Sequence, residues 1–369
     1  MATPSKAARN VRAPGESALL TSRDNRWLKE FRMALRGGLP TESGFVGVEG
    51  VRLVKEALRS GCPIQAVLFS ESGQRHHERL APLIDRPEMS FPTLGTTDRL
   101  FEGVADTEHP QGVAALVKPR ETSFDGLVRV PGSACAPLLV VLAGVQNPGN
   151  VGTILRTAAA FGATGGATAA SGVSGTASPF SPKALRASAG AALHLPILAG
   201  MSLAILLMQF KIAGIRTLAS SVRGRGSTPH SPRNSAVSDA AVAGARFSAA
   251  PSSSRHSSLA TGHFGQPSQD DDAPATEPSP TNAAPLLAPW EVDWCQPIAL
   301  FVGNEGAGLP EEIERSADAR IHIPMASGVE SLNAAAAAAV VFYEAARQRN
   351  AVSAPNIQPS DASRPPGKS

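Results

Sequence analysis

A chain of 369 residues with 42% hydrophobic composition is long enough for two domains with real cores. Its 34 basic and 31 acidic residues leave a net charge of only +3, so any nucleic-acid binding must come from a local patch and not from overall charge. Three cysteines (Cys62, Cys135, Cys295), widely spaced and without a Cys-x-x-Cys, argue against a disulfide framework and against zinc, and point to a reducing cytoplasm.

In chain order, residues 1–20 are Ala-, Arg- and Ser-rich and lack an apolar signal core, which predicts a disordered start. From Thr21 to Val117 small helices and strands alternate. Ser22 is placed to cap a helix carrying Trp27, Leu28, Phe31 and Leu35; Phe45 to Val48 is a strand; Val51 to Leu58 is a helix that Gly61 ends. Ile64 to Phe69 is the next strand, followed by a basic helix with Arg75, His76, His77 and Arg79. The two histidines diverge around a helix and no third ligand is near, so a solvated face is preferred over a metal site. Lys118 to Pro137 is polar, with Pro and Gly, and reads as a linker at 118–137.

Leu138 to Leu142 is an apolar branched run, a buried strand. It breaks at Gln146-Asn147-Pro148-Gly149-Asn150 and resumes as a helix from Val151 to Phe161 that Gly162 stops. A strand, a tight turn and a helix N-terminus make a site for an anion or polar ligand, because the first helical amides are unpaired. Gly144 and Gly149 have P-loop spacing, but Asn150-Val151 stands where Lys and Ser/Thr must be, and no Gly-x-Gly-x-x-Gly is present. Arg156 is the long basic side chain of this helix; at about 100° per residue it falls near Gly152, Ala159 and Ala160, small residues that leave room for a ligand.

Ser181 opens a helix with Lys183 and Arg186. The apolar run from Leu195 to Phe210 contains Pro196, Gly200 and Ser202 and reads as a soluble helix, not a membrane span. Leu203 to Lys211 forms a helix before a strand from Ile215 to Ala219. Residues 221–289 are dominated by Ser, Pro and Ala with short charge clusters, too poor in branched apolar side chains to offset an ordering cost of about 1 to 2 kcal/mol per residue, so a disordered insertion is expected. Ile298 to Pro310 is a second buried strand entering a Gly-rich loop with Glu305. Ile321 to Arg347 is a third unit: a strand, a loop with Gly328, Ser331 and Asn333, then an Ala-rich helix. Residues 350–369 read as a disordered tail.

The stretches NPGNVGTILRTAAAFG, FVGNEGAGL and IPMASGVESLNAAAAAA, with SPKALRASAGAALHLPI between the first two, resemble in order and spacing the motifs of the SpoU/TrmH family of S-adenosylmethionine-dependent RNA ribose 2′-O-methyltransferases, within the SPOUT superfamily. The resemblance covers nearly all of Leu138 to Arg347 except the insertion. It implies a parallel-sheet α/β methyltransferase domain at 138–349 with a C-terminal trefoil knot, a rare exception to unknotted connections. It also implies that 21–117 is a small α/β domain similar to ribosomal protein L30e that binds the RNA substrate.

By the same resemblance, Asn150, Arg156, Glu305, Ser331 and Asn333 are catalytic-site residues. Gly303, Ile323, Leu332 and the backbone of Met325 hold S-adenosylmethionine, with no metal, and Lys183 and Arg186 are candidates for RNA contact. Arginine has a pKa above about 12, so a guanidinium clamp on phosphate and hydroxyl describes Arg156 better than a base does. Asn147 stands where Asp is frequent in the family, and Ala334-Ala335 where Val-Ser is frequent. The implied partners are RNA, ribosomal 23S in preference to transfer RNA, and a second copy of the chain through the helix from Ser331 to Arg347; no membrane is implied. The alternatives are a transfer RNA 2′-O-methyltransferase and a non-catalytic RNA-binding protein on the same scaffold.

Overall fold

The computed structural model describes residues 18–87, 89–129, 136–170, 175–221, 284–304, 306, 308–326, 329 and 331–353. Most of the expected insertion, both termini and Glu305 lie outside them.

The first sheet is built from β1 (Ala18–Leu20), α1 (Arg26–Leu35), β2 (Val46–Glu49), α2 (Val51–Arg59), β3 (Ile64–Ser70), α3 (His77–Ile84), β4 (Thr93–Thr96), α4 (Asp98–Glu102) and β5 (Val113–Val117). Its order is β1-β4-β3-β5-β2, with β5 antiparallel to both neighbours. Residues 18–20, within the stretch expected to be disordered, form β1 because they find a parallel edge on β4. Asn25, not Ser22, caps α1: its side chain accepts from the Trp27 amide, while the Ser22 hydroxyl accepts from Asp24. The expected basic helix is split into a 3₁₀ turn, Ser72–His76, and α3. There the His77 ring packs on Phe69 at 5.4 Å, and His76 is held below its ordinary pKa by burial and by Arg75 and Arg79.

The expected linker is not bare. Ser123 caps α5 (Phe124–Val128), whose Leu127 is fully buried over Leu139 and Gly165. There follow β6 (Leu138–Ala143), α6 (Pro148–Ala160), β7 (Gly165–Ala170), α7 (Pro182–Ala187), α8 (Ala191–His194), β8 (Ile197–Ser202), α9 (Leu203–Ile212), β9 (Arg216–Ser220), β10 (Leu286–Leu287), β11 (Ile298–Val302), α10 (Glu311–Ser316), β12 (Ala319–Ile321) and α11 (Ala334–Ser353). The seven strands run parallel in the order β10-β12-β9-β11-β6-β7-β8. Helices cover both faces, which is why every residue of β6 and β11 is buried and both strands read as unbroken apolar runs.

Three expectations are corrected here. Leu195 to Phe210 is not one helix: Pro196 immediately precedes β8, Gly200 belongs to it, and α9 begins only at Leu203. No helix among the described residues is long and apolar enough to cross a membrane. Residues 284–289 of the expected insertion are ordered, since β10 pairs with β12, and α11 continues to Ser353, four residues beyond the expected end of the domain at 349.

The two sheets belong to one compact unit. Arg186 of α7 pairs with Asp106 at 2.7 Å, His194 of α8 meets Glu56 of α2 at 3.2 Å, and the apolar core runs from Leu53 and Ala57 on α2 into Leu185 and Leu193. At the far end of the second sheet, the Arg349 guanidinium near the end of α11 donates to the carbonyls of Trp294 and Ala136, each at 2.7 Å, and of Gln296 and Pro137. These carbonyls lie just before β11 and β6, so a single side chain ties the last helix to the starts of the two central strands. Replacing it with alanine leaves carbonyls without a charged donor: Arg349→Ala is expected to cost about 2 kcal/mol and to lower Tm by about 4 to 8 °C in a thermal melt.

Candidate active site

Three loops leave the carboxyl ends of the parallel strands β6, β11 and β12, where open α/β sheets place their ligands. After β6 the chain turns at Gly144, and Asn147 caps α6 by accepting from the Gly149 amide at 2.8 Å, with Pro148 in the first helical turn. This puts Asn150 on the first turn. No acidic residue occupies the first turn of α6 or of α11, so both N-termini keep their positive ends.

After β11, Gly303 is forced by packing: a Cβ there would stand 2.5 Å from the Gly308 carbonyl oxygen and 2.7 Å from the Leu309 nitrogen. Asn304 and Gly308 exchange two backbone hydrogen bonds of 3.0 Å, and Gly308 has φ +72°, closing the loop on itself. The Asn304 side chain accepts from Gly306 at 2.8 Å and donates to the Gly144 carbonyl at 3.1 Å, which ties the second loop to the first.

After β12, Ile323, Met325, Ser331 and Leu332 line a pocket together with Gly303, Asn304 and Gly308 of the second loop. Leu300, Val302, Ala337, Ala338 and Val341 supply apolar wall, and Ser220 and Ser221 a polar edge. Asn333 follows. Its oxygen accepts from the Ala335 and Ala336 amides, capping α11, while its nitrogen lies 3.5 Å from the Asn150 oxygen, at the outer limit of a hydrogen bond. A single asparagine therefore holds the third loop, the N-terminus of α11 and the N-terminus of α6 in one place.

The four expected cofactor residues, Gly303, Ile323, Met325 and Leu332, thus share one pocket with Ser331, and Asn150 meets Asn333 beside it. Arg156 is not brought to that pocket. Gly152, expected to leave room beside it, is buried under α7, where a Cβ would come within 2.2 Å of the Ala184 carbonyl. Arg156 instead stands exposed on the outer side of α6 with Thr153 and Ala160, about 9 Å along the axis from Asn150. Lys183 is exposed, whereas Arg186 is taken by Asp106, a partner in the other sheet. Among the described residues no group of three His, Cys, Asp or Glu is placed to hold a metal.

Ser220, Ser221 and His322 also line the pocket and were not singled out in the sequence. The strand-end rule points to the two serines, since Ser220 ends β9 and Ser221 donates to the Ile321 carbonyl at 2.8 Å. His322 gives no such signal.

The profile of the SpoU rRNA Methylase family matches residues 137–244 and 270–343, and that of the MRM3-like substrate binding domain matches 41–115. A protein of Synechocystis named an uncharacterized tRNA/rRNA methyltransferase is 30% identical over 92% of this chain and 97% of its own length. The AdoMet-bound rRNA methyltransferase of Sinorhizobium meliloti superposes with a TM-score of 0.62 at 23% identity, over 90% of this chain and 98% of that one. The SpoU methyltransferase AviRb of Streptomyces viridochromogenes, in complex with AdoMet, gives 0.60 at 23% identity over 88% and 98%. The chain shares their fold, a parallel-sheet α/β unit preceded by a smaller sheet.

The closed loop at Gly303 makes a direct test. Gly303→Ala drives a Cβ into backbone and is expected to cost about 1 to 3 kcal/mol. Gly306→Ala, whose Cβ would meet only the Asn304 oxygen at 3.7 Å, should leave Tm within a degree or so of wild type. Equal melting temperatures for the two variants would mean that the loop is not held as described.

Proposed function

Because the chain belongs to the SpoU rRNA methylase family, we propose that it transfers a methyl group from S-adenosylmethionine to a ribose 2′-hydroxyl of RNA in the cytoplasm, with ribosomal RNA preferred over transfer RNA. The observation that carries this reading is the convergence of three loops, tied by Asn304 and Asn333, around one pocket. The residues present fit the cofactor: the apolar lining of Leu300, Val302, Ile323 and Leu332 suits a purine, and Ser220, Ser221 and Asn304 offer hydrogen-bonding groups beside it. Gly303 lets the loop backbone close against Gly308 and Leu309 at the pocket's edge. The trefoil knot belongs to the same reading. Its support is that Ile323, Met325, Leu332 and α11 line one pocket with Gly303 and Gly308 of the loop after β11.

The sulfonium supplies an activated methyl group: the oxygen–carbon bond forms, the sulfur–carbon bond breaks, and the hydroxyl proton leaves. The chain's own task is to hold the hydroxyl in line and to take up that proton. Asn150 and Asn333, coupled beside the pocket, position the ribose, and the positive N-termini of α6 and α11 favour the adjoining phosphates. Glu305, in the loop closed by Asn304 and Gly308, is assigned the proton path or the orientation of the arginine. The preference for ribosomal RNA rests on the smaller sheet, matched by a substrate-binding profile.

Arg156 acts as a clamp on phosphate and hydroxyl. It does not line the pocket of its own subunit, and on α11 Val340 and Tyr343 remain 44% and 58% exposed. Phe161 packs edge-on against Tyr343 at 5.8 Å and joins the two helices into one apolar face. A second copy seated on this face by a two-fold axis brings each Arg156 to its neighbour's site. Light scattering at micromolar concentration should then report twice the 38.0 kDa chain mass; a monomer that still methylates RNA would remove the dimer.

Tritium transfer from labelled S-adenosylmethionine into ribosomal RNA and transfer RNA tests the activity. Arg156→Ala should lower transfer at least about 100-fold while cofactor affinity stays within about twofold of wild type. Near-normal turnover would take Arg156 out of the site. Binding of RNA without any transfer by the wild type would leave a non-catalytic RNA-binding protein.

A further inference from the structure

Helix α1 lies ahead of residue 41, outside both matched profiles. Its inner side buries Leu28, Phe31, Ala34 and Leu35. At about 100° per residue, Arg26, Lys29, Arg32 and Arg36 fall within an arc of about 120° on the opposite side. Arg26, Lys29 and Arg36 are exposed, while Arg32 spends its Nε on the Gly103 carbonyl.

The acids of the segment do not cancel this stripe. Glu30 stands on the flank and accepts from Gln65 at 2.9 Å, and Asp24 reaches Lys29 only as an exposed pair at 3.4 Å, of a kind worth little and readily exchanged for a phosphate. The Arg26 guanidinium lies over the Trp27 ring at 5.0 Å, so cation and aromatic surface are offered together, as single-stranded nucleic acid prefers. Half-buried Met33 is the apolar residue of the outer face, too little for the core of a protein interface.

The stripe also leads somewhere. From Arg26 to Arg36 it extends about 15 Å, and α1 then ends in Gly37-Gly38, with a Cβ position at Gly38 lying 3.8 Å from the ring of Pro182. The next residue, Lys183, is exposed on α7 of the methylase sheet. We propose that Arg26, Lys29 and Arg36, continued by Lys183 across the junction of the two sheets, form a track that holds the RNA backbone while the pocket acts on the ribose. The proposal rests on the reading of the chain as an RNA methyltransferase and gives its substrate a path.

The full chain is titrated with a fluorescein-labelled 30-nucleotide stem–loop RNA at several salt concentrations. For the variant Arg26→Gln, Lys29→Gln, Arg36→Gln the slope of log affinity against log salt should fall by about 2 to 3, and for Lys183→Gln alone by about 1, from roughly 0.7 to 0.9 per phosphate contact. S-adenosylmethionine binding, measured by calorimetry, should match wild type and certify the fold. Where the chain methylates RNA, KM for RNA should rise with kcat little changed. An unchanged slope in the folded triple variant overturns the track, as does a larger loss from Arg75→Gln with Arg79→Gln, which would move the RNA to α3. Wild-type binding with the full slope but no methyl transfer would strike the enzymatic reading and leave the track standing.

Discussion

The pairing of β6 with β11 is the constraint on which the rest depends. Five residues of each strand lie side by side, from Ile298 beside Leu138 to Val302 beside Leu142, and all ten are buried. With helices on both faces, a slip of one residue would exchange the two apolar faces and also displace the loops at the strand ends. Register is held at both ends. Arg349 gathers the carbonyls that precede the strands, and Asn304 reaches from the end of β11 to the Gly144 carbonyl at the end of β6. The site is thus fixed by the same register that builds the core, and α11 enters both, clamping one end through Arg349 and closing the pocket with Ala337, Ala338 and Val341.

The small sheet is coupled to this frame through a carboxylate that is itself buried. Glu49, 6% exposed at the end of β2, accepts from the amides of Asp106 and Thr107 and from the Thr107 hydroxyl, and so fixes the loop before β5. That loop presents Asp106 to Arg186. Edge strand β2 is meanwhile covered by α7, which removes a free strand edge and leaves the substrate-binding sheet continuous in packing with the methylase sheet. RNA held on the first sheet is therefore held at a set distance from the pocket, which a swinging domain on a polar linker would not provide.

What the sequence disclosed was local chemistry with a period. The turn at Asn147-Pro148-Gly149, the buried runs of β6 and β11, and the Ala-rich helix that follows the Asn333 loop each follow from residues within a few positions of one another. What it concealed depends on partners far along the chain. Arg186 looked free because Asp106 is 80 positions away, and Gly152 looked open because the helix that fills the space, α7, begins 30 residues later. The strands β1 and β10, three and two residues long, are too short to show a period and exist because a neighbour offers a parallel edge. β8 was merged with α9 because an apolar run of strand followed by helix has no single period to detect.

The burial of Gly152 has a further effect on how the catalytic parts are divided. With α7 pressed onto that side of α6, and α11 on the adjoining side, the helix has one free side left, and Arg156 occupies it with Thr153 and Ala160. Among the described residues the pocket is lined by apolar side chains, glycines, serines, an asparagine and a histidine, with no arginine or lysine. Within one subunit the positive field beside it comes from helix ends, and those fall off within a turn. The close approach of α6 and α7, made possible by a glycine, is in this way the reason that Arg156 stands exposed on the remaining side of α6.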